Sequence, residues 1–277
     1  AKGRQHKKPR NKHGDSLRKQ YPESMHMEGI ARDRLADYLG DWLEISRFKD
    51  YSPNGLQVEG KAHIHRIAVA VTATHEVIQQ AANWGADALI VHHGWFWRGE
   101  DSRVVGYKHR RMRALLMADI NLFAFHLPLD VHPEVGNNVC LGRVMGWPTP
   151  RLEGEQQLIA RADLGDAISA DALQQHLQDR LERPVLVVGA VERPIRKLAW
   201  CTGAAQDMIQ AAADLGADAF ISGEISERTT YLAREIGLSY FAAGHYATER
   251  YGVQALAEYL QSQFPLQCRF IEDPNPA

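Results

Sequence analysis

The hydrophobic and polar positions of the chain alternate between helical and extended periods, which predicts helices and strands in turn. Residues 30–45 carry apolar side chains at helical spacing, so an amphipathic helix is predicted there. Beyond it, the predicted strands are 66–71, 88–91 and 121–125, and the predicted helices between them are 76–84 and 107–118. Strands and helices that alternate in this way are typical of parallel βαβ units. The predicted fold class is therefore α/β.

The second half of the chain repeats the pattern of the first half. The helix stop Gly85-Ala86-Asp87 returns as Gly216-Ala217-Asp218, with a helical pattern before each copy and an apolar strand after it. In both halves a strand also ends at a histidine that a carboxylate follows four residues later, as His126 with Asp130 and His245 with Glu249. Alanine-rich helices can match by chance, but the shared turn favours an internal duplication. We therefore predict two similar α/β modules with a site where their strand ends meet.

The beginning of the chain differs from the rest in its charge. Residues 1–23 hold eight lysines and arginines and only two acidic residues, whereas the 277 residues together have a formal net charge of -2. Because large apolar side chains are almost absent there, we predict that residues 1–26 form a disordered basic tail. A nucleic-acid-binding arm is the alternative to a simple unfolded extension. The predicted modules then cover 27–150 and 151–277.

Composition excludes several classes of protein. Hydrophobic residues at 45% and charged residues at 24% are ordinary globular values, which argue against a disordered chain or a coiled-coil rod. The apolar runs are too short to span a bilayer, and the small net charge gives no pull toward nucleic acid, so neither is an expected partner. Three widely spaced cysteines without a CxxC motif predict neither a disulfide framework nor a thiolate site. The expected location is a reducing cytoplasm.

Two adjacent histidines, His92 and His93, follow the predicted strand 88–91 directly. Neighbouring strand residues point to opposite faces, so the pair suits two ions side by side, or one ion and one proton carrier. Gly94 lets the chain bend at this point. The structural alternative is one ligand and one histidine packed in the core.

His245 and Glu249 have the spacing of two residues on one helical face, provided that a helix begins near His245. The alternative is a histidine that caps the helix beside a solvated glutamate. His126 and Asp130 share this spacing, but prolines flank Asp130, so a rigid loop is predicted there. Asp130 is a ligand candidate because its position matches Glu249 in the repeat. Candidates to support the ligands or to contact a substrate are His126, His132, Asn137 and Asn138.

The candidate metal ligands are His92, His93, Asp130, His245 and Glu249. Mixed imidazole and carboxylate ligands suit Zn, Fe, Mn, Co or Ni and disfavour Mg or Ca alone. Five ligands exceed the need of one tetrahedral site with an open position. We therefore predict two divalent ions about 3.5–4 Å apart and bridged by one carboxylate. Zn, Fe and Mn all accept these ligands.

An aromatic cluster, Trp95-Phe96-Trp97, follows the histidine pair. It is either a stacking wall for a planar substrate or a contact between modules or subunits. The sequence lacks GxGxxG after a strand, GxxxxGK[ST] and GxSxG, so Rossmann, P-loop and α/β-hydrolase proteins have no support.

Four ordered motifs carry a family resemblance: SPNGLQVEG at 52–60, GADALIVHHG at 85–94, HLPLDVHPEVGNN at 126–138 and AGHYATE at 243–249. Over residues 27–277 the chain resembles the Nif-three-like family, the GTP cyclohydrolase 1 type 2 homologs, and within it the bacterial YbgI branch. The resemblance implies intertwined α/β modules, a dinuclear metal site and a toroidal homohexamer. It also implies that His93 and Asp130 hold one ion, that His92 and His245 hold the other, and that Glu249 bridges them.

Two main hypotheses for the function follow. The first is a metal-dependent hydrolase acting on a small molecule, with His126 and His132 as catalytic proton carriers. The family name implies attack on the guanine of GTP, although no stretch of this sequence is typical of a triphosphate cradle. The second is a non-enzymatic metal-binding, chaperone or scaffold ring protein. A nucleic-acid-binding ring would depend on the basic tail alone.

Overall fold

The structure, a computed structural model, describes residues 29–277. The predicted tail, residues 1–26, therefore lies outside the described residues. The helices within that range are α1 (Arg32–Trp42), α2 (His75–Trp84), α3 (Tyr107–Met117), α4 (Leu127–Val131), α5 (Asn137–Met145), α6 (Ala170–Leu181), α7 (Ile209–Asp214), α8 (Glu227–Ile236) and α9 (His245–Gln263). The strands are β1 (Ile30–Ala31), β2 (Gly55–Val58), β3 (His63–Ile64), β4 (Arg66–Thr72), β5 (Ala88–His93), β6 (Asn121–Ala124), β7 (Arg151–Glu153), β8 (Ile159–Ile168), β9 (Leu186–Gly189), β10 (Ile195–Trp200), β11 (Ala219–Ser222), β12 (Ser239–Ala242) and β13 (Gln267–Phe270).

The first large sheet has the strand order β13-β4-β5-β6-β2. Strands β4, β5 and β6 are parallel and alternate with α2 and α3, which confirms the predicted βαβ units. Strand β2 runs antiparallel to β6 at one edge, and β13 runs parallel to β4 at the other. Residues 67–71 of β4 are buried, because a central parallel strand is covered on both faces.

The second large sheet has the order β7-β8-β10-β11-β12-β9. Strands β10, β11 and β12 are parallel, with α7 and α8 as the helices between them. Strand β9 runs antiparallel to β12, as β2 does to β6 in the first sheet. The protein thus has an α/β fold with two mixed sheets.

The repeated Gly-Ala-Asp turns have the same hydrogen bonds in both sheets. The Asp87 carboxylate accepts from the backbone N–H groups of His65 and Arg66, each at 2.9 Å. The Asp218 carboxylate accepts from those of Arg196 and Lys197, at 2.9 and 2.8 Å. Each aspartate therefore ties its turn to the beginning of the neighbouring parallel strand, which is a physical reason for the repeated motif.

The pairing of β12 with β11 is offset by one residue from the position that the alignment of the two sequence halves gives it, relative to β6 and β5 of the first sheet. Val91 pairs with Ala124 in the first sheet, and its counterpart Ser222 pairs with Ala242 in the second. The alignment placed Ala243, not Ala242, opposite Ala124. His126 and His245 therefore do not occupy matching positions at the strand ends, and the match of Asp130 with Glu249 includes a shift of one residue.

The C-terminal helix connects the two sheets. Helix α9 begins just after β12 of the second sheet, and its residues Val253, Leu256 and Leu260 pack in one hydrophobic cluster with Ile67 and Val69 of β4. Strand β13 then pairs with β4. Residues 245–270 therefore run from the second sheet to the first, and the predicted division into 27–150 and 151–277 stays a prediction.

Two predicted elements are corrected. The helix predicted over 30–45 spans only α1, because Ile30 pairs with Ile64 in a two-stranded sheet before the helix begins. The loop predicted around Asp130 is the short helix α4. Pro128 lies in its first turn, where the missing N–H breaks no helical hydrogen bond, so this proline does not prevent a helix.

The three cysteines are free, and two of them are buried. Among residues 29–277, no helix has the length and apolar character needed to cross a membrane.

Candidate metal centre

Three elements bring the five predicted ligands together. His92 and His93 are the last two residues of β5, Asp130 lies in α4, and His245 and Glu249 lie in the first turns of α9. Helix α9 begins at His245, so the spacing of four residues places the His245 imidazole and the Glu249 carboxylate on one face. Asp130 and Glu249 are 4% and 3% exposed, and His92 is 1% exposed. The ligands therefore form a largely buried cluster.

Glu249 lies at the middle of this cluster. Its Oε1 atom is 3.2 Å from His92 Nε2, and its Oε2 atom is 3.1 Å from His93 Nε2 and 3.0 Å from His245 Nε2. His92 Nε2 is also 3.4 Å from Asp130 Oδ1. These side chains form two groups that could each hold a metal ion, and both groups contain Glu249.

The composition of these groups differs from the one that the family resemblance implies. The first group is His92, Asp130 and Glu249, and the second is His93, His245 and Glu249. The resemblance paired His93 with Asp130 and His92 with His245. Neighbouring residues of β5 face different directions, so His92 lies in the interior beside Asp130, whereas His93 lies nearer the surface beside His245.

Hydrogen bonds at the opposite ring nitrogens orient the histidines. The Nδ1 atom of His92 is 2.9 Å from the carbonyl oxygen of Phe125, and that of His245 is 2.6 Å from Glu224 Oε1. A carbonyl or a carboxylate only accepts, so each Nδ1–H donates and each neutral ring keeps an unprotonated Nε2 toward the cluster. His93 Nδ1 is 3.1 Å from the hydroxyl of Thr72. The rings are therefore held in the orientation that metal ligands require.

The donor set fits a cation because two buried atoms lack a hydrogen-bond partner. They are Nε2 of His92 and Oε2 of Glu249. Imidazole nitrogens lie close to Glu249 Oε2, but these contacts do not have hydrogen-bond geometry. Buried polar atoms in native proteins normally have partners. A cation shared by these lone pairs would satisfy both atoms.

The pKa values of the metal-free cluster show the same need for positive charge. Burial lowers the pKa of His92, but the carboxylates of Asp130 and Glu249 outweigh burial and raise it to about 10. Burial likewise opposes protonation of His245, but Glu249 and Glu224 raise its pKa to about 9. For His93, burial prevails and lowers the pKa to about 4. Protons on two histidines thus balance the buried carboxylates when metal is absent.

The asparagines predicted near Asp130 support it. Asn137 Nδ2 donates to Asp130 Oδ1 at 3.0 Å, and its own Oδ1 accepts from the N–H of Gly252 in α9 at 3.0 Å. The hydroxyl of Thr202 donates to Asp130 Oδ1 at 3.2 Å. Asn138 does not contact Asp130 in these bonds, but it accepts from the Thr202 N–H at 3.0 Å. Both asparagines therefore act on the position of Asp130.

His126, one of the two predicted proton carriers, borders the cluster. It forms a third group with His92 and His93 whose ligand atoms lie within 4.8 Å of one another. Its Nδ1 donates to Asp50 Oδ1 at 2.6 Å, and its backbone N–H donates to Asn54 Oδ1 at 2.7 Å. Burial would raise the pKa of Asp50, but His126 and other donors lower it to about 2. His126 is therefore backed by an ionised carboxylate.

His132, the other predicted proton carrier, does not join the cluster groups. Its Nδ1 accepts from the backbone N–H groups of Glu134 and Val135, at 3.2 and 3.3 Å, and its ring packs on Trp42 with centroids 4.2 Å apart. Burial lowers its pKa to about 4. These contacts let His132 hold the loop after α4, and its role as a proton carrier stays a prediction.

Several residues of the site were not identified from the sequence, among them Asp50, Glu224 and Gly203. Asp50 and Glu224 each hold the Nδ1 of a histidine, and Gly203 lies against Glu249. A signal for Glu224 did exist: extending the repeat alignment past Gly216-Ala217-Asp218 places Glu224 opposite His93. Asp50 and Gly203 belong to loops without periodicity, so their roles depend on contacts that only the fold supplies.

The fold and the site define a two-sheet α/β protein in which buried histidine, aspartate and glutamate groups could hold a metal ion. The sequence profile described as Duf34/NIF3 (NGG1p interacting factor 3) matches residues 30–276, and the chain belongs to the DUF34/NIF3 family.

Similar proteins agree with this assignment. A protein of Allochromatium vinosum named GTP cyclohydrolase 1 type 2 homolog is 49% identical over 88% of this chain and 96% of its own length. A Pseudomonas aeruginosa protein of the same name is 47% identical over 90% of this chain and 99% of its own length. Among solved structures, the protein ybgI, described as of unknown function, has a TM-score of 0.85 and 42% identity, covering 90% of this chain and all of that one.

Proposed function

We propose that the protein is a divalent-metal-dependent hydrolase with two ions held by His92, His93, Asp130, His245 and Glu249. The observation that carries the proposal is the position of Glu249 in both candidate groups, with one oxygen toward each. A carboxylate has two oxygens and can serve two ions, whereas each histidine offers one nitrogen. In this assignment His92 and Asp130 hold one ion, His93 and His245 hold the other, and Glu249 bridges them.

The charge of the site supports two ions rather than one. Asp130 and Glu249 lie in the cluster itself, and Asp50 and Glu224 contact histidines at its edge. Four carboxylates match the charge of two divalent cations. Zn, Fe and Mn all accept such ligands, so availability would select among them.

Bound divalent ions supply Lewis acidity, which acidifies water and polarises a substrate bond. His126 is the proton carrier of the proposal, because its Nδ1–H donates to Asp50 and leaves Nε2 as the acceptor. Asp50 stabilises the charged imidazolium that forms when His126 takes a proton. His93 and His245 are partly exposed, so the same face of the cluster is open to a substrate.

The substrate proposed for testing first is a nucleotide, since the relatives are named GTP cyclohydrolase 1 type 2 homologs. We also propose that the two sheets arose by duplication of one module, which their matching strand orders support. A homohexameric ring and a cytoplasmic location complete the proposal. Light scattering coupled to size-exclusion chromatography tests the ring, and a mass other than that of six chains would reject it.

The test of the function is turnover by the metal-loaded protein. Nucleotides, phosphoesters and amides are incubated with the wild type, with His126→Gln and with His109→Gln, an exposed histidine of α3 that serves as control. We expect hydrolysis of one class, lost in His126→Gln and retained in the control. Absence of turnover across all three classes would reject the hydrolase and favour a non-enzymatic metal-binding, chaperone or scaffold protein.

A further inference from the structure

A cavity of about 420 Å³ is lined by the segment that begins at Gly94, directly after His93. The segment after His93 forms one wall, with Trp95, Phe96 and Trp97, and helix α3 contributes Lys108, Arg111 and Met112. A volume of this size is typical of small-molecule pockets. The aromatic cluster that the sequence left between two interpretations therefore lines a pocket.

Trp97 is the wall that the cavity shares with the centre. Its ring centroid is 5.0 Å from that of His126 and 6.0 Å from that of His93. The indole N–H donates to the carbonyl oxygen of Gly94 at 3.2 Å, which fixes the ring. A molecule in the cavity would thus contact Trp97, whose ring borders His126 and His93.

Phe96 shows that the aromatic wall is held under strain. Its φ angle is 64°, in the left-handed region that bulky side chains rarely adopt, and its side chain is 43% exposed. Burial in a core does not explain an exposed ring in such a conformation. Strained backbone is common at ligand-binding positions, where the surrounding structure maintains it.

The charges of the cavity favour an anion. Its acidic residues are already paired: Asp101 contacts Arg103 at 2.6 Å, and Glu100 contacts Lys108 at 3.3 Å. Arg111 packs over the ring of Tyr107, and no carboxylate of residues 29–277 forms an ion pair with it. Its guanidinium is therefore available to a ligand and suits a phosphate or carboxylate group.

We propose that this cavity binds a planar aromatic ring carrying an anionic group, as in a mononucleotide, and holds it beside Trp97, whose ring borders the metal centre. The ring stacks on the aromatic wall, and the anionic group pairs with Arg111. This inference deepens the proposed function and rests on it for the chemistry, whereas the binding itself is a separate claim.

Isothermal titration calorimetry of the full-length, metal-loaded protein tests the binding, with AMP, GMP, guanosine and inorganic phosphate as probes. We expect the nucleotides to bind about tenfold or more tightly than guanosine, and phosphate to bind weakest. Arg111→Gln should weaken nucleotide binding about tenfold and leave guanosine unchanged. Arg113→Gln, exposed on the same helix, is the matched control and should change neither. Phe96→Gly, which removes both ring and strain, should weaken nucleotides and guanosine alike.

Failure to bind either nucleotide, or equal losses in Arg111→Gln and Arg113→Gln, would overturn the inference. Metal content measured on the same samples separates the two proposals. Nucleotide binding with the expected pattern in a protein that takes up no metal would support the cavity and reject the hydrolase. A metal-loaded protein without nucleotide affinity would reject the cavity alone.

Discussion

At the scale of single residues, Gly203 limits the space around Glu249. It has a φ of 73°, and a Cβ atom placed on it would overlap Glu249 Oε1 and lie 3.2 Å from His245 Nε2. Glycine is therefore required at this position for two reasons, its backbone conformation and its lack of a side chain. Because a side chain at Gly203 would displace Glu249, this loop glycine affects the metal centre although it offers no ligand atom.

We predict that Gly203→Ala displaces Glu249 and lowers the metal content of the purified protein below half that of the wild type. Gly216→Ala is the matched control, since Gly216 also has a positive φ, 81°, but faces open space. Both variants should lose about 1 kcal/mol of unfolding free energy from backbone strain. Elemental analysis measures the metal content of both variants. Equal metal content in the two would show that the contact between Gly203 and Glu249 does not affect metal binding.

Metal affinity should rise with pH. In the metal-free protein the pKa values of His92 and His245 are raised to about 10 and about 9, so both histidines carry protons at neutral pH. Each ion must displace such a proton, so affinity should fall about tenfold per pH unit for each proton displaced as the pH is lowered from 8 to 6. Calorimetry in buffers of different ionisation enthalpy measures the protons released. An affinity independent of pH would mean that these histidines are not ligands.

At the scale of elements, helix α9 combines two roles. Its first turns carry His245 and Glu249, and its later turns pack on the first sheet through Val253, Leu256 and Leu260. The position of the ligands therefore depends on the packing of apolar residues further along the same helix.

We predict that Leu256→Ala lowers the unfolding free energy by about 2–5 kcal/mol, because Leu256 is fully buried and its removal leaves a cavity. Leu186→Ala, at a leucine that is 52% exposed, is the control and should cost less than about 0.5 kcal/mol. Urea denaturation of the metal-free proteins gives both values. Similar losses at the two positions would contradict the packing described for α9.

The elements show how far the sequence alone could lead. The βαβ strands were predicted correctly because their apolar runs are continuous. The start of α9 at His245 was only a condition of the ligand geometry, and the structure meets that condition. Helix α4 was missed because Pro128 was taken as a helix breaker, although it lies in the first turn. No local pattern in the sequence shows that α9 and β13 pack on the first sheet. Their position depends on which surface buries their apolar residues.

The same limit applies to the site. All five predicted ligands converge, because strand ends and helical spacing follow local rules. The division of the ligands between two ions stays a prediction, because it depends on how β5 is oriented toward α4 and α9. Asp50 and Glu224 act through contacts between distant segments, and single acidic residues in loops carry no spacing that reveals them.

At the scale of the whole molecule, the candidate centre joins segments that are far apart in the chain. Strand β5 and helix α4 contribute ligands from the first half, and α9 contributes them from the second. Gly203, next to Glu249, follows β10 of the second sheet. Ions bound there would therefore stabilise the contact between the two sheets as well as the site.

Removal of metal should consequently lower the melting temperature. A ligand present at about 100 times its dissociation constant stabilises the folded state by about 2.7 kcal/mol. For a chain of this size we expect EDTA to lower Tm by about 5–10 °C, reversed by adding back the metal. Differential scanning fluorimetry measures the change. An unchanged Tm after verified metal removal would contradict a centre that joins the sheets.

The most direct test of the two-ion centre is the metal content per chain of the wild type and of single variants. We expect about two ions in the wild type, loss of both in Glu249→Ala, and partial loss in His92→Ala and His245→Ala. Glu258→Ala, at an exposed glutamate of the same helix, should keep the full content, and circular dichroism should show that all variants are folded. If Glu249→Ala retains as much metal as the histidine variants, Glu249 does not bridge two ions and the central claim is wrong.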